Sequence, residues 1–148
     1  MTITIRKSVG KYDKENLSEI LDKALCFVKN KYPRVDFSGV DIIFSGSLSR
    51  ARYYRNDHKD SKYERPVIQI PTNREDAILY WRPSLGMVRN RVNEVGRWDI
   101  TCSSIIHELT HHAQYEENRN KGEVETTNNE LEYFREFRPD VWELFMND

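Results

Sequence analysis

Three of the chain's four histidines fall within six residues: His107, His111 and His112. The first two open and close the run His107-Glu108-Leu109-Thr110-His111, an H-E-x-x-H spacing. Residues i and i+4 of a helix share a face, so both imidazoles can be turned on one ion. Zn²⁺ accepts imidazole nitrogen at about 2.0–2.1 Å and prefers four ligands. Glu108 sits beside the first ligand and can reach a water held by the ion. A zinc ion lowers the pKa of such a water to roughly 7, so a carboxylate can take its proton at neutral pH. The resulting hydroxide attacks a carbonyl that the metal also polarises. The expected roles are His107 and His111 as ligands of one Zn²⁺ and Glu108 as general base.

A bland alternative is a pair of solvent-facing histidines on a surface helix. Ile105, Ile106, Leu109 and Ala113 oppose it, because they give the same helix a buried side. The site then needs a third protein ligand. A histidine ten residues after the first, the metzincin pattern, is excluded: that position is Glu117, and the glycine expected at 114 is Gln114. The downstream stretch Asn129-Glu130-Leu131-Glu132-Tyr133-Phe134-Arg135-Glu136 is the better source. At helical phase, Phe134, Phe137 and Val141 fall within roughly 40° of Glu130, while Glu132 and Glu136 point the other way. A carboxylate on an apolar face needs a partner, and a zinc ion is one. Glu130 is therefore the expected third ligand, with Glu132, Glu117 and Glu123 in reserve. His112 points about 100° away from His111 and reads as a core neighbour or a substrate contact. His58 lies in a charged loop, and Cys102 reads as a small core residue.

Several elements must position these groups. Asn16–Asn30 carries Leu17, Ile20, Leu21, Ala24, Leu25 and Val28 in an i, i+3, i+4 stripe, which predicts an amphipathic helix ending near Lys31, before Pro33. Thr2–Arg6 predicts a short edge strand, Val40–Ser45 a strand and Ser49–Arg55 a second one. The charged run Asn56–Arg65 then makes a hairpin loop. Pro66–Ile70 is read as a third strand, placed at an edge because prolines bracket it. Ala77–Trp81 suggests a helical turn. Arg82, Arg89, Arg91 and Arg97 make a basic stretch, read as solvated surface ahead of a patch for an acidic partner. Ile100–Glu117 predicts the metal helix, capped by Asp99 or Thr101. Asn118–Asn129 reads as a loop, and Glu130–Phe145 as a last helix that Pro139 kinks or splits.

At 148 residues, 38% hydrophobic and 32% charged, the chain suits one globular domain spanning 1–148. A formal net charge of −1 supplies no field to recruit nucleic acid or an anionic membrane. Cys26 and Cys102 form no C-x-x-C pair, which excludes a zinc ribbon and suits reduced thiols. The opening residues hold no apolar run, and none in the chain reaches membrane-spanning length. A cytoplasmic protein is expected, with no membrane partner.

The H-E-x-x-H run with a downstream Glu resembles the zincin metallopeptidases, in their gluzincin-type arrangement. The order of elements is similar to their minimal core. Within that group the chain resembles small SprT-like domains, through SRARYY followed by PVIQI, and ImmA/IrrE-like domains, through NNELEYF. It lacks the C-terminal Cys-rich ribbon of the first and the small residues after the ligand Glu of the second. The resemblance implies an α+β fold: a small three- to four-stranded sheet packed on an N-terminal helix, the H-E-x-x-H helix and a C-terminal helix. It implies zinc-dependent hydrolysis of a protein or peptide substrate, bound in extended form along the edge strand Val67–Ile70. It also implies an oxyanion donor, for which Tyr115, Tyr133, Arg82 and His112 are candidates. Two other readings are a catalytically silent zincin-fold protein acting through a partner surface, and a nucleic-acid-associated protease. The Arg82–Arg97 stretch prompts the last, and the near-neutral charge weakens it.

Overall fold

A computed structural model describes residues 1–48, 50–56, 62–72, 95–120 and 122–147. The chain is α+β. Strand β1 (Ile3–Ile5) precedes the long helix α1 (Lys11–Lys31) and a short 3-10 turn at Phe37–Gly39. Strands β2 (Asp41–Ser45), β3 (Arg52–Tyr54) and β4 (Val67–Pro71) follow. Helices α2 (Arg97–Glu116), α3 (Glu123–Phe137) and α4 (Pro139–Asn147) complete it. The expected turn at Ala77–Trp81, the arginines Arg82, Arg89 and Arg91, and His58 lie outside the described residues. Among the described residues, no helix is long and apolar enough to cross a membrane.

Helix α1 buries Leu17, Ile20, Leu21, Ala24 and Val28 of the stripe the sequence predicts, and leaves Leu25 partly buried against the same core. It starts at Lys11, five residues before the expected Asn16, where Asp13 suits the positive end of the helix dipole. The sheet runs β1-β2-β4-β3, with β1, β2 and β4 parallel and β3 antiparallel to β4. Ile42 stands opposite Ile68, and Tyr53 opposite Ile68 on the other side. That row faces α2, since the Tyr53 hydroxyl meets His112.

Strand β4 is not the edge strand its prolines suggest. It lies between β2 and β3, buried along both faces except at Gln69. A strand covered on both sides reads as a near-continuous apolar run, which is what Val67, Ile68 and Ile70 give. The prolines stand only at its ends: Pro66 accepts from the Asp41 amide at 2.9 Å, a role that needs no N–H. The edge beside β4 is β3.

Helix α2 is buried on nearly every side, polar residues included. Three of its buried hydroxyls donate within the helix: Thr101 to the Arg97 carbonyl at 3.0 Å, Ser103 to Ile100 at 2.9 Å and Thr110 to Ile106 at 2.8 Å. The helix begins at Arg97, with Gly96 as its cap rather than Asp99 or Thr101. Gly96 adopts φ 88, a left-handed conformation that favours glycine. Asp99 is not available to cap, because Arg138 donates to its Oδ2 at 2.6 Å and Tyr133 to its Oδ1 at 2.7 Å. Arg97 pairs with Asp13 at 3.0 Å and bonds the Thr72 carbonyl, which ties the start of α2 to α1 and to the end of β4. This member of the basic stretch is thus internally paired. Pro139 splits the C-terminal helical region, with α3 ending at Phe137 and α4 starting at the proline itself.

Candidate metal centre

The i, i+4 spacing on α2 brings the His107 and His111 rings edge to face, with centroids 4.9 Å apart. Both turn Nε2 toward the first residue of α3. Glu123 Oε2 lies 3.1 Å from His107 Nε2, and Oε1 lies 3.2 Å from His111 Nε2. The three ligand atoms fall within 4.8 Å of one another. Zinc–nitrogen and zinc–oxygen bonds of about 2.0–2.2 Å in a tetrahedron put donors roughly 3.3 Å apart, so the group fits such an ion. His111 is buried, His107 mostly so, and the Glu123 side chain is 67% exposed, which leaves the site open to solvent on one side.

Glu130 does not join this group. The sequence rightly puts it on the buried face of its helix, but that face meets the back of His107. Glu130 Oε2 lies 3.2 Å from Nδ1, on the ring edge away from Glu123. The partner a buried carboxylate needs is here the imidazole. Burial raises the Glu130 carboxyl, and hydrogen bonds from His107 and Ser103 oppose that rise. Burial likewise pulls His107 down, but the carboxylates of Glu130, Glu108 and Glu123 outweigh it and lift its pKa to about 9 in the metal-free chain. The other reserves are engaged elsewhere: Glu117 with Arg119 at 2.8 Å and Glu132 with Lys31.

Behind His111 stands Gln114, which sequence reasoning passed over as a missing glycine. Its Oε1 lies 2.9 Å from His111 Nδ1, and its Nε2 donates to the Gly122 carbonyl at 3.0 Å. From the sequence alone Glu123 reads as a loop residue, because Asn118–Asn129 shows no apolar period. That segment is helical from Glu123, and its inward face is polar: Thr126 and Asn129 are buried beside Glu130. The available signal was Gly122 as cap, followed by the first-turn acids Glu123 and Glu125.

A polar chain fixes α3 against α1 and α2. Asn129 Nδ2 donates to Thr110 Oγ1 at 2.9 Å and to the Tyr32 hydroxyl at 2.8 Å. Tyr32 in turn donates to Glu125, which Arg119 also holds. Burial, together with Glu125, pushes the Tyr32 hydroxyl up to about 12.

Glu108 is buried, and its charge acts on His107. Of the expected oxyanion donors, Tyr133 is turned to Asp99. His112 is fully buried with Nδ1 on the Tyr53 hydroxyl at 2.8 Å, and burial pulls it down to about 4. Neither is accessible to a substrate. Tyr115 is half-buried and donates to Asn56 at 3.2 Å, and Arg82 lies outside the described residues. Searches against protein families, curated proteins and solved structures give no match for this chain.

Proposed function

We propose that this chain is a zinc-dependent peptidase, with His107, His111 and Glu123 holding the metal and Glu108 as general base. One observation carries the reading. Glu130 and Gln114 each put an oxygen acceptor behind an imidazole, so each Nδ1 carries its hydrogen there. Each neutral ring then presents an Nε2 lone pair at the front, where the third group is a carboxylate. Acceptors facing acceptors at 3.1–3.2 Å call for a positive species between them.

A bound zinc ion supplies a Lewis acid and a more acidic water at such a centre. The carboxylate of Glu108 takes a proton from the attacking water and delivers it to the leaving amine nitrogen. A metal held only for structure has no use for a carboxylate at that position. The outer edge of β3, unpaired among the described residues and beside the metal helix, suits an extended peptide that adds as a further strand.

The test combines metal content with cleavage of a mixed peptide library, read by mass spectrometry. The wild type is expected to carry about one zinc per chain and to cut peptides. Glu108→Gln keeps the zinc and loses cleavage by at least a hundredfold. Glu123→Ala loses zinc outright, whereas Glu130→Ala only weakens its retention. A chain that takes up no zinc, even when zinc is added back, sinks the site. Zinc without cleavage sinks the peptidase and leaves a zincin-like binding protein.

A further inference from the structure

The Gln114 amide has two unlike ends, and its surroundings distinguish them. The Gly122 carbonyl oxygen can only accept, so the nitrogen end of the amide must face it, at 3.0 Å. The oxygen end is thereby turned to His111 Nδ1 at 2.9 Å, and an oxygen that only accepts requires a hydrogen on that nitrogen. In the neutral ring, Nε2 is then left with its lone pair, directed at Glu123. The choice of tautomer at His111 is thus dictated by a backbone carbonyl eight residues beyond Gln114, the one immediately before Glu123.

We infer that Gln114 is a positioning residue of the metal centre, which holds His111 as the Nδ1–H tautomer and ties it to the start of the helix bearing Glu123. One buried side chain so sets which nitrogen of one ligand carries the hydrogen, and the origin of another ligand. The inference rests on the proposed His107–His111–Glu123 site for its purpose, but the tautomer belongs to the metal-free protein. Glutamate could replace only half of this role. It would still accept from His111, but it would bring a second oxygen against the Gly122 carbonyl. Methionine, of similar length, would do neither.

The experiment has two arms on the full chain. Long-range ¹H–¹⁵N imidazole spectra of the metal-free Glu123→Ala protein, at a pH where His111 is neutral, report the tautomer without a competing carboxylate. Zinc affinity is measured separately by competition with a chromogenic chelator, in chains that keep Glu123. With Gln114 present, His111 is expected as Nδ1–H, and Gln114→Met shifts it toward Nε2–H. Zinc affinity falls about 10- to 100-fold in Gln114→Met. Gln114→Glu keeps the tautomer and still weakens zinc, through the displaced start of α3. His111 found as Nε2–H with Gln114 intact overturns the inference, whether or not any substituted chain folds. So does Gln114→Met binding zinc as tightly as the wild type. If the wild type binds no zinc while His111 is Nδ1–H, the metal reading fails and the Gln114–His111 link stands.

Discussion

At the level of single residues, the site is organised from behind. Glu130 and Gln114 hold the back edges of two imidazoles, and the front edges are left to whatever positive species arrives. In the metal-free chain that species is a proton, because the pKa of His107 is lifted to about 9. Zinc must displace this proton, so its apparent affinity is expected to fall about tenfold for each pH unit below 9. At pH 7, uptake of zinc releases about one proton from this group. Titration calorimetry in buffers of different ionisation enthalpy measures that number, and Glu130→Gln, which removes one of the charges lifting His107, should lower it. No proton released by the wild type at pH 7 would contradict the placement of Glu130. The same shift sets a stability trend for the metal-free fold. A raised folded-state pKa contributes stability that is fully present below 6.5 and is lost as pH rises through about 9. The H-E-x-x-H run was legible because its geometry is local to one helix. The role of Glu130 was not, because helical phase tells that a carboxylate is buried and not which edge of which ring it meets.

Among the elements, the strands and the first two helices form where apolar periodicity puts them, and the departures come from polar burial in α3 and from the prolines at the ends of β4. Helix α3 starts seven residues before the expected Glu130, since Thr126 and Asn129 are buried without being apolar. Strand β4 is central rather than at the expected edge, because proline signals an edge in the middle of a ladder but not at its ends. The polar side of α3 is nonetheless an attachment: Asn129 bonds Thr110 of α2 and Tyr32 just beyond α1, joining three helices through one amide. Removing it leaves the buried Thr110 hydroxyl and the half-buried Tyr32 hydroxyl short of a donor, at a cost of about 2 kcal/mol. Asn129→Ala is therefore expected to lower the urea midpoint with an unchanged slope. Asn128→Ala, on the exposed side of the same helix, should stay within about 0.5 kcal/mol of the wild type. Equal effects from the two substitutions would show that the amide network holds nothing beyond helix propensity.

For the molecule as a whole, the metal site bridges parts that the core has already assembled. One apolar cluster runs from Val9 in the N-terminal segment through the sheet and α2 to Phe134 and Val141 in the last two helices. None of those contacts needs an ion, so the metal-free chain is expected to fold cooperatively, unlike small zinc fingers that unfold without their metal. The ligands, however, come from two helices, α2 and α3, and zinc bound to both stabilises the folded state by mass action. At free zinc about 100-fold above the dissociation constant, the gain is about 2.7 kcal/mol. For a chain of this length that raises Tm by roughly 5–10 °C. Scanning calorimetry with and without zinc checks the shift, and far-ultraviolet circular dichroism of the chelated protein checks that helices persist. Glu123→Ala should abolish the shift while leaving the metal-free Tm nearly unchanged, because its side chain lies largely in solvent. A chelated chain without cooperative melting would mean that the core is not self-sufficient. An unchanged Tm under saturating zinc would mean that α2 and α3 are not bridged by the ion.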